Sequence, residues 1–264
     1  MRSLDELTVF RARHLQGLVF DLDDTLLTEG TLTLEAYDAL HQLHEAGLLL
    51  VACTGRPAAW GEVIARQWPI ALAVTENGAV SFRREGASVL MIDRVTRADR
   101  ERRRHRLEAV TAELNRSFPE VERADDNRGR LTDVTFDIGE RHQVPAAQIV
   151  ALRQAAAALE ARTFTSTIHL HVTLETDDKV SGTLFALAVA RGVDPSAALC
   201  RYGFVGDSAN DAACFAAFRT TFGVANVAGQ LGALTVGPRY VSGGTAGSGF
   251  AQIAAQILAR RASP

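Results

Sequence analysis

An acidic cluster directly follows a short apolar run in the stretch Gly17-Leu18-Val19-Phe20-Asp21-Leu22-Asp23-Asp24-Thr25-Leu26. A short continuous apolar run predicts a buried strand, which here ends at Phe20. Polar residues at the carboxyl end of such a strand lie where α/β sheets bind ligands. Carboxylates this close raise one another's pKa unless a cation compensates them, and Mg2+ prefers oxygen ligands of this kind. The alternative for this segment alone is an acidic turn that only caps the next helix.

Strands and helices alternate through the first part of the chain. An amphipathic helix is predicted over residues 33–46, with Gly47 as its stop. Residues 48–53 are apolar at every position, as in a strand covered on both faces. A helix over residues 57–66 and a strand over residues 71–75 follow. This alternation predicts an α/β fold with a doubly wound, Rossmann-like parallel sheet.

The periodicity changes near residue 81. Strands that alternate with period two and have one polar face are predicted at residues 131–138 and 163–176, which is typical of an open-faced α+β layer. The predicted divisions are a catalytic core of residues 1–81 and 177–264 and an inserted α+β domain of residues 82–176.

The composition of the 264-residue chain is ordinary for a globular protein, with 47% hydrophobic and 22% charged residues. A formal net charge of -3 favours neither nucleic acid nor an anionic membrane as a partner. No stretch approaches the roughly 20 apolar residues of a membrane-spanning helix. The cysteines form no C-x-x-C pair, which predicts buried free thiols in a reducing compartment, and we expect a cytoplasmic protein. Nothing in the sequence specifies an oligomeric state.

Three further segments place polar residues at predicted strand ends or borders. Thr54 and Gly55 precede a helix whose first N–H groups can bind an anion, although a simple N-cap explains Thr54 equally well. Lys179 lies at the border of the inserted domain, where a solvated surface lysine is the usual case. A third apolar strand ends before residues 206–211, which open a helix. That segment carries two carboxylates and an amide, at Asp207, Asp211 and Asn210.

Together these segments resemble the haloacid dehalogenase superfamily. The matching positions are the DxDxT motif at Asp21 to Thr25, the motif II threonine Thr54, the motif III lysine Lys179, and the acidic motif at Asp207 and Asp211. The insertion between motifs II and III, with the run Glu76-Asn77-Gly78-Ala79, resembles the type IIB cap of the Cof-like branch. That branch includes sucrose-phosphate, trehalose-phosphate and mannosyl-3-phosphoglycerate phosphatases and the related phosphomannomutases.

The resemblance implies a phosphatase that acts on a small phosphorylated metabolite, a sugar phosphate or a phosphoglycerate-type glycoside, through an aspartyl-phosphate. Asp21 would be the nucleophile, and Asp23 would protonate the leaving alcohol and then activate water. Mg2+ is the implied cofactor. Its implied ligands are Asp21, the backbone carbonyl of Asp23, and Asp207, with Asp211 as a further ligand or a support. The implied phosphate-binding groups are Thr54, Gly55, Lys179 and Asn210.

Two alternatives belong to other functional classes. A phosphomutase would return the phosphoryl group to the same sugar through a bound bisphosphate. A non-catalytic protein would bind a ligand on the same fold without turnover, although no catalytic position of the motifs is missing.

Two histidines of the insertion, His169 and His171, share the polar face of a predicted strand. A structural or solvent-facing role is favoured over metal binding. If that face covers the active site, however, these side chains would touch the substrate.

Overall fold

The computed structural model describes residues 1–166, 168–232 and 234–263, which contain two β-sheets and the helices packed on them. The strands are β1 (Arg2–Ser3), β2 (Gly17–Phe20), β3 (Leu49–Cys53), β4 (Leu72–Thr75), β5 (Val80–Glu85), β6 (Ser88–Asp93), β7 (Asp133–Asp137), β8 (Arg162–Thr165), β9 (His169–Thr173), β10 (Tyr202–Gly206), β11 (Thr220–Gly223) and β12 (Tyr240–Val241). The α-helices are α1 (Val9–His14), α2 (Leu34–Glu45), α3 (Ala58–Gln67), α4 (Arg97–Ser117), α5 (Ala146–Ala158), α6 (Lys179–Arg191), α7 (Pro195–Arg201), α8 (Ala212–Ala217) and α9 (Ala246–Ala262).

The larger sheet has the strand order β1-β12-β11-β10-β2-β3-β4-β5-β6. Neighbouring strands from β1 to β4 are parallel, and β5 and β6 continue the sheet antiparallel. The predicted doubly wound α/β fold is thus confirmed. β2 lies between β10 and β3, where the direction of winding reverses. Ligand crevices form beyond the carboxyl ends of strands at such a switch point.

Both faces of β2 are covered, because successive residues of a strand point to opposite sides of the sheet. Leu18 and Phe20 belong to an apolar cluster with α2 and α9, whereas Val19 belongs to a cluster with α6 and α8. This double burial explains the uninterrupted apolar run in the sequence. Phe20 lies level with Val205 of β10 and Ala52 of β3. The residues that follow these three strands therefore emerge side by side.

The smaller sheet has the order β7-β9-β8, and its neighbouring strands are antiparallel. Helices α4 and α5 cover one face, where Leu107 and Leu152 pack with Phe136 and Leu170. The alternate residues of β7 and β9, such as His171, form the opposite, polar face. The predicted open-faced layer is confirmed.

The segment 82–176 contains one strand prediction that needs correction and a hairpin that pairs outside the smaller sheet. The first residues of the predicted domain 82–176 form the hairpin β5–β6, which belongs to the larger sheet. Phe82 is buried there beside Gly61 of α3, so packing against the core fixes the hairpin at this edge. The predicted strand over residues 163–176 is two strands, β8 and β9, and residue 167 lies outside the described residues.

The cysteines are only partly as predicted. Cys53 and Cys214 are buried, whereas Cys200 is exposed on the last turn of the short helix α7. Within the described ranges, no single helix is long and apolar enough to span a membrane, and only α6 and α7 pass when taken together, bent by 108°.

A buried carboxylate, Glu76, joins the two sheet layers. It follows β4 with a φ of 49°, a left-handed conformation that residues other than glycine rarely adopt. Its carboxylate accepts hydrogen bonds from the N–H of Ala58 at the start of α3. It also accepts hydrogen bonds from the N–H groups of Leu131 and Thr132 and from the Thr132 hydroxyl. Glu76 therefore holds the segment before β7 against the core.

Replacing Glu76 by Gln is expected to lower the free energy of unfolding by about 2 kcal/mol. The NH2 group of the Gln amide would face backbone N–H donors that now bond to a carboxylate oxygen. Burial, followed by the charge of Asp133, raises the pKa of Glu76 to about 7 from its ordinary value of 4.5. The folded protein thus holds this proton more tightly than the unfolded chain. The stability contributed by Glu76 therefore falls as the pH rises from about 4.5 to about 7.

Urea unfolding at about pH 4 and about pH 8 checks this expectation, because the two values bracket the range in which the group titrates. The stability difference between wild type and Glu76→Gln should be larger at the lower pH. Glu62→Gln, on an exposed position of α3, is the control and should change little at either pH. A difference that does not depend on pH would contradict the pKa assigned to Glu76.

Candidate active site

Three buried carboxylates, Asp21, Asp207 and Asp211, converge at the carboxyl ends of the central strands. Their oxygens lie within 4.8 Å of one another. Asp21 directly follows β2 and Asp207 directly follows β10, so the parallel register of these strands brings them together. Asp211 is added by the short helical turn Ala209–Asp211 after β10. The sequence predicted this convergence from the strand-end positions of the motifs.

Lys179 supplies the positive charge at the centre of this cluster. It is the first residue of α6, whose N-terminus is capped by Asp178, and its side chain is buried. Its Nζ lies 2.8 Å from Oδ2 of Asp21 and 2.7 Å from Oδ1 of Asp211. Burial alone would lower the pKa of Lys179, but these two carboxylates outweigh it and raise the pKa well above its ordinary value. Lys179 is therefore a buried ammonium ion and not a solvated surface lysine.

One ammonium group cannot balance three buried carboxylates. Burial raises the pKa of Asp21 well above its ordinary value, with Lys179 opposing the rise and Asp211 and Asp207 adding to it. Burial, followed by the charge of Asp211, raises the pKa of Asp207 to about 7. A surplus of negative charge on an all-oxygen donor set fits a hard divalent cation such as Mg2+.

Asp207 and Asp211 differ in what holds them. Oδ1 of Asp207 accepts a hydrogen bond from Thr25 Oγ1 at 2.8 Å, and its Oδ2 accepts one from Asn226 Nδ2 at 3.2 Å. Oδ2 of Asp211 accepts hydrogen bonds from the N–H groups of Asp207 and Ser208, while its Oδ1 contacts Lys179. Both oxygens of each carboxylate have protein partners, but Asp207 lines the cavity whereas Asp211 is fully buried behind it, which favours a supporting role for Asp211. Asn226 was missed from the sequence because nothing near it marks a motif.

Asp23 lies at the open side of the site, with 52% of its side chain exposed. Its carboxylate is paired with the guanidinium of Arg56, at 2.5 Å between Oδ1 and Nη2. That guanidinium stacks on the ring of Trp60, 3.9 Å from its centroid. Arg56 therefore orients Asp23. The sequence contained Arg56 beside Thr54 and Gly55, but local pattern gave no sign that it would reach across to Asp23.

Thr54 and Gly55 form the turn that follows β3. Thr54 is fully buried, and its Oγ1 accepts a hydrogen bond from the N–H of Arg56 at 3.1 Å, which leaves the hydroxyl proton for another acceptor. Asn210 donates from Nδ2 to Oδ1 of Asn77 at 3.0 Å. A Cβ on Gly55 would lie only 3.2 Å from that same oxygen of Asn77, so the turn has little room for a side chain.

A cavity of about 530 Å3 lies between the two sheet layers. This volume suits a small-molecule ligand. The predicted site residues that line it are Asp21, Asp23, Gly55, Lys179, Asp207 and Asn210. Thr54 and Asp211 lie behind this lining, each fully buried. The smaller sheet and its loops contribute the remaining wall, including Arg130, His169 and His171.

Comparisons with known proteins agree with this fold. Residues 18–102 match the family model of haloacid dehalogenase-like hydrolases. No protein of curated function matches the sequence significantly. A structure from Thermoplasma acidophilum superposes with a TM-score of 0.71 and 16% identity, covering 92% of this chain and 98% of that one.

Two further solved structures have a similar fold. A haloacid dehalogenase (HAD)/COF-like hydrolase from Plasmodium vivax has a TM-score of 0.68 and 17% identity, covering 97% of this chain and 99% of that one. The sucrose-phosphatase of Synechocystis, solved with sucrose and phosphate, has a TM-score of 0.63 and 16% identity, covering 92% of this chain and 98% of that one. The family match confirms the resemblance to haloacid dehalogenase-like hydrolases over residues 18–102. At such identities the likeness to solved structures concerns the fold alone.

Proposed function

We propose that this protein is a magnesium-dependent phosphatase that hydrolyses a small phosphate monoester, most simply a sugar phosphate, through an aspartyl-phosphate on Asp21. The observation that carries the proposal is the pairing of Asp21 with the buried ammonium of Lys179, beside Asp207, at the wall of a ligand-sized cavity. The family match over residues 18–102 and the fold shared with a sucrose-phosphatase support it.

The first step is attack by a carboxylate oxygen of Asp21 on phosphorus. The bond between phosphorus and the alcohol oxygen of the substrate breaks, and that oxygen takes a proton from Asp23, which enters this step as the carboxylic acid formed in the second step of the preceding turnover. In the second step Asp23, now a carboxylate, removes a proton from water. The oxygen of that water attacks phosphorus, which frees the Asp21 carboxylate and inorganic phosphate. Arg56 keeps Asp23 at the open side of the cavity, where an alcohol or water arrives.

Repulsion between the phosphate and Asp21 is the main electrostatic obstacle to the first step. Lys179 offsets it directly, because its Nζ already contacts Asp21 Oδ2. The Thr54 hydroxyl, the Gly55 N–H and the Asn210 amide would hold the phosphoryl oxygens. Mg2+ would be held by Asp21, the backbone carbonyl of Asp23, and Asp207, with Asp211 in support, and supplies further positive charge against that repulsion.

A screen of phosphorylated metabolites with Mg2+, measuring phosphate release, tests the proposal. We expect at least one sugar phosphate to be turned over with kcat/KM in the usual enzymatic range, about 10^4 M−1 s−1 or more. Release of inorganic phosphate separates a phosphatase from a phosphomutase, which returns the phosphoryl group to the sugar. Absence of phosphate release from all substrates, including para-nitrophenyl phosphate, would contradict the proposal.

Substituting Asn for Asp207 is expected to stabilise the metal-free protein and to abolish its response to Mg2+. Because burial and Asp211 raise the pKa of Asp207 to about 7, its ionisation above that pH destabilises the folded state. The amide removes this charge and keeps an oxygen for the Thr25 hydroxyl; it gives up the 3.2 Å hydrogen bond from Asn226 Nδ2, which also donates to the Asp24 carbonyl at 2.8 Å. Thermal unfolding at about pH 8 should give a higher Tm for the variant without Mg2+, and added Mg2+ should raise the Tm of wild type only.

Chelation provides an independent check on the metal. Chelation of divalent cations should eliminate wild-type phosphate release, and Mg2+ should restore it. An equal Tm rise with Mg2+ in both proteins would show that Asp207 is not a ligand.

A further inference from the structure

The cavity wall from the smaller sheet contains a buried network centred on Asp133. Oδ2 of Asp133 lies 2.8 Å from Nδ1 of His171 and 3.0 Å from Nη1 of Arg130. The same Nη1 donates to the carbonyl oxygen of Gly55 at 2.9 Å. The network therefore ties His171 to the turn that we assign to phosphate binding.

This network determines which ring nitrogen of His171 carries the proton. Burial alone would raise the pKa of Asp133, but Arg130 and His171 outweigh it and hold the pKa below its ordinary value. Asp133 is therefore an ionised acceptor, so Nδ1 of His171 must be the donor. Burial is the main cause that lowers the pKa of His171, which keeps the ring neutral. In a neutral ring with a protonated Nδ1, Nε2 is a hydrogen-bond acceptor.

Nε2 of His171 opens to the cavity. Among residues 1–166, 168–232 and 234–263, Arg260 Nε is the single fully buried side-chain polar atom without a hydrogen-bond partner. An Nε2 of His171 without a partner is therefore not fully buried. His171 lines the cavity, and its only hydrogen bond in that set is the one from Nδ1. A Cβ on Gly55 would lie 3.5 Å from Cε1, the ring atom between the two nitrogens. A substrate whose phosphate lies at Gly55 would thus place its leaving group within reach of Nε2.

The charges of the cavity lining restrict that leaving group further. Each cation of the described lining is already paired with a carboxylate: Lys179 with Asp21, Arg56 with Asp23, and Arg130 with Asp126. Additional carboxylates of the lining are Asp24, Glu29, Asp125, Glu140 and Asp207. A second anionic group on the substrate would therefore meet surplus negative charge and no unpaired cation among these residues.

We propose that His171 is a specificity-determining residue whose Nε2 accepts a hydrogen bond from a hydroxyl of the leaving group. The enzyme consequently prefers a neutral, hydroxyl-bearing leaving group to one that carries a second anion. This inference rests on the proposed phosphatase function and defines the chemistry of the substrate. Phosphoglycerate-type and bisphosphate substrates are excluded as the preferred class, because each carries a second anionic group.

The test compares wild type with His171→Asn and His171→Gln. Asn retains a donor in the place of Nδ1 but has no acceptor in the place of Nε2, whereas Gln can offer its amide oxygen there. The measured quantity is kcat/KM for the best of glucose, fructose and mannose 6-phosphates, divided by kcat/KM for para-nitrophenyl phosphate, whose leaving group has no hydroxyl substituent. This ratio should fall roughly tenfold or more in the Asn variant and less in the Gln variant. His142→Asn, at an exposed position, is the matched control.

The outcomes separate the two proposals. An active wild type whose ratio is the same in His171→Asn would overturn the role of His171 and leave the phosphatase assignment intact. Wild-type turnover of para-nitrophenyl phosphate but of no hexose monophosphate, or a higher kcat/KM for glucose 1,6-bisphosphate or 3-phosphoglycerate, would do the same. A wild type inactive on every phosphate ester would overturn both.

A second measurement needs no variant and no turnover. Nitrogen-15 NMR of the histidine rings in the wild-type protein at about pH 7.5 reports the tautomer, and we expect an unprotonated Nε2 on His171. The resonance is assigned by its loss in His171→Gln. A protonated Nε2 would overturn the inference.

Discussion

Substituting Asn for Asp21 is expected to lower kcat for phosphate release by roughly 10^4-fold or more. The amide has nearly the shape of the carboxylate and still offers an oxygen to the N–H of Leu22, which Asp21 now holds at 2.8 Å. It is not a nucleophile toward phosphorus, however, and no other group described here is placed to replace it. The change removes one of three crowded, buried carboxylates, and the Lys179 ammonium keeps Asp211 as a counter-ion, so the Tm should change little and its measurement separates lost activity from unfolding.

Asp24→Asn is the matched control for Asp21→Asn. The two substitutions change the same chemical group and the same charge, three residues apart. Asp24 has a φ of 55°, a conformation that Asn tolerates well, and we assign it no catalytic role. Asp24→Asn should retain kcat within about threefold, since a substitution at an exposed position that breaks no buried contact usually has a small effect. Wild-type turnover in Asp21→Asn would eliminate the nucleophile assignment.

The core of the fold and the convergence of its motifs follow from the sequence because both are local properties. Strands β2 and β3 are apolar at consecutive positions since both of their faces are buried. A parallel register then places whatever follows such strands at one edge of the sheet. Asp21 and Asp207 meet for that reason, and the acidic cluster itself indicated that a cation or a proton must accompany them.

What the sequence did not reveal depends on pairings between distant segments. The edge hairpin β5–β6 has the alternation of an ordinary antiparallel pair, and the pairing of β5 with β4, together with the packing of Phe82 against α3, places it in the larger sheet. Arg56 reaches Asp23 across 33 residues, and Asn226 reaches Asp207 across 19 residues. No periodicity records such contacts. The polar face with His171 was visible as a pattern, but its position over Gly55 required the structure.

Substituting Asn for Asp23 is expected to separate the two chemical steps. With a sugar phosphate, both steps need Asp23, first to protonate the alcohol and then to activate water, so turnover should fall by roughly 10^2-fold to 10^4-fold. With para-nitrophenyl phosphate the leaving group is stable as an anion and needs little protonation. Phosphorylation of Asp21 should therefore continue, while hydrolysis of the aspartyl-phosphate becomes slow.

Rapid mixing of Asp23→Asn with para-nitrophenyl phosphate measures this separation. We expect a burst of nitrophenolate of about one equivalent per active site, followed by a slow steady rate. Acid quenching during the slow phase should yield a peptide containing Asp21 that carries one phosphoryl group. Asp24→Asn, with the same charge change, should show no such accumulation. If the second step alone loses its general base, the phosphorylated enzyme must become the predominant species. A variant that keeps the wild-type steady rate would therefore assign the activation of water to another group. So would a variant that slows without a burst or a phosphorylated peptide.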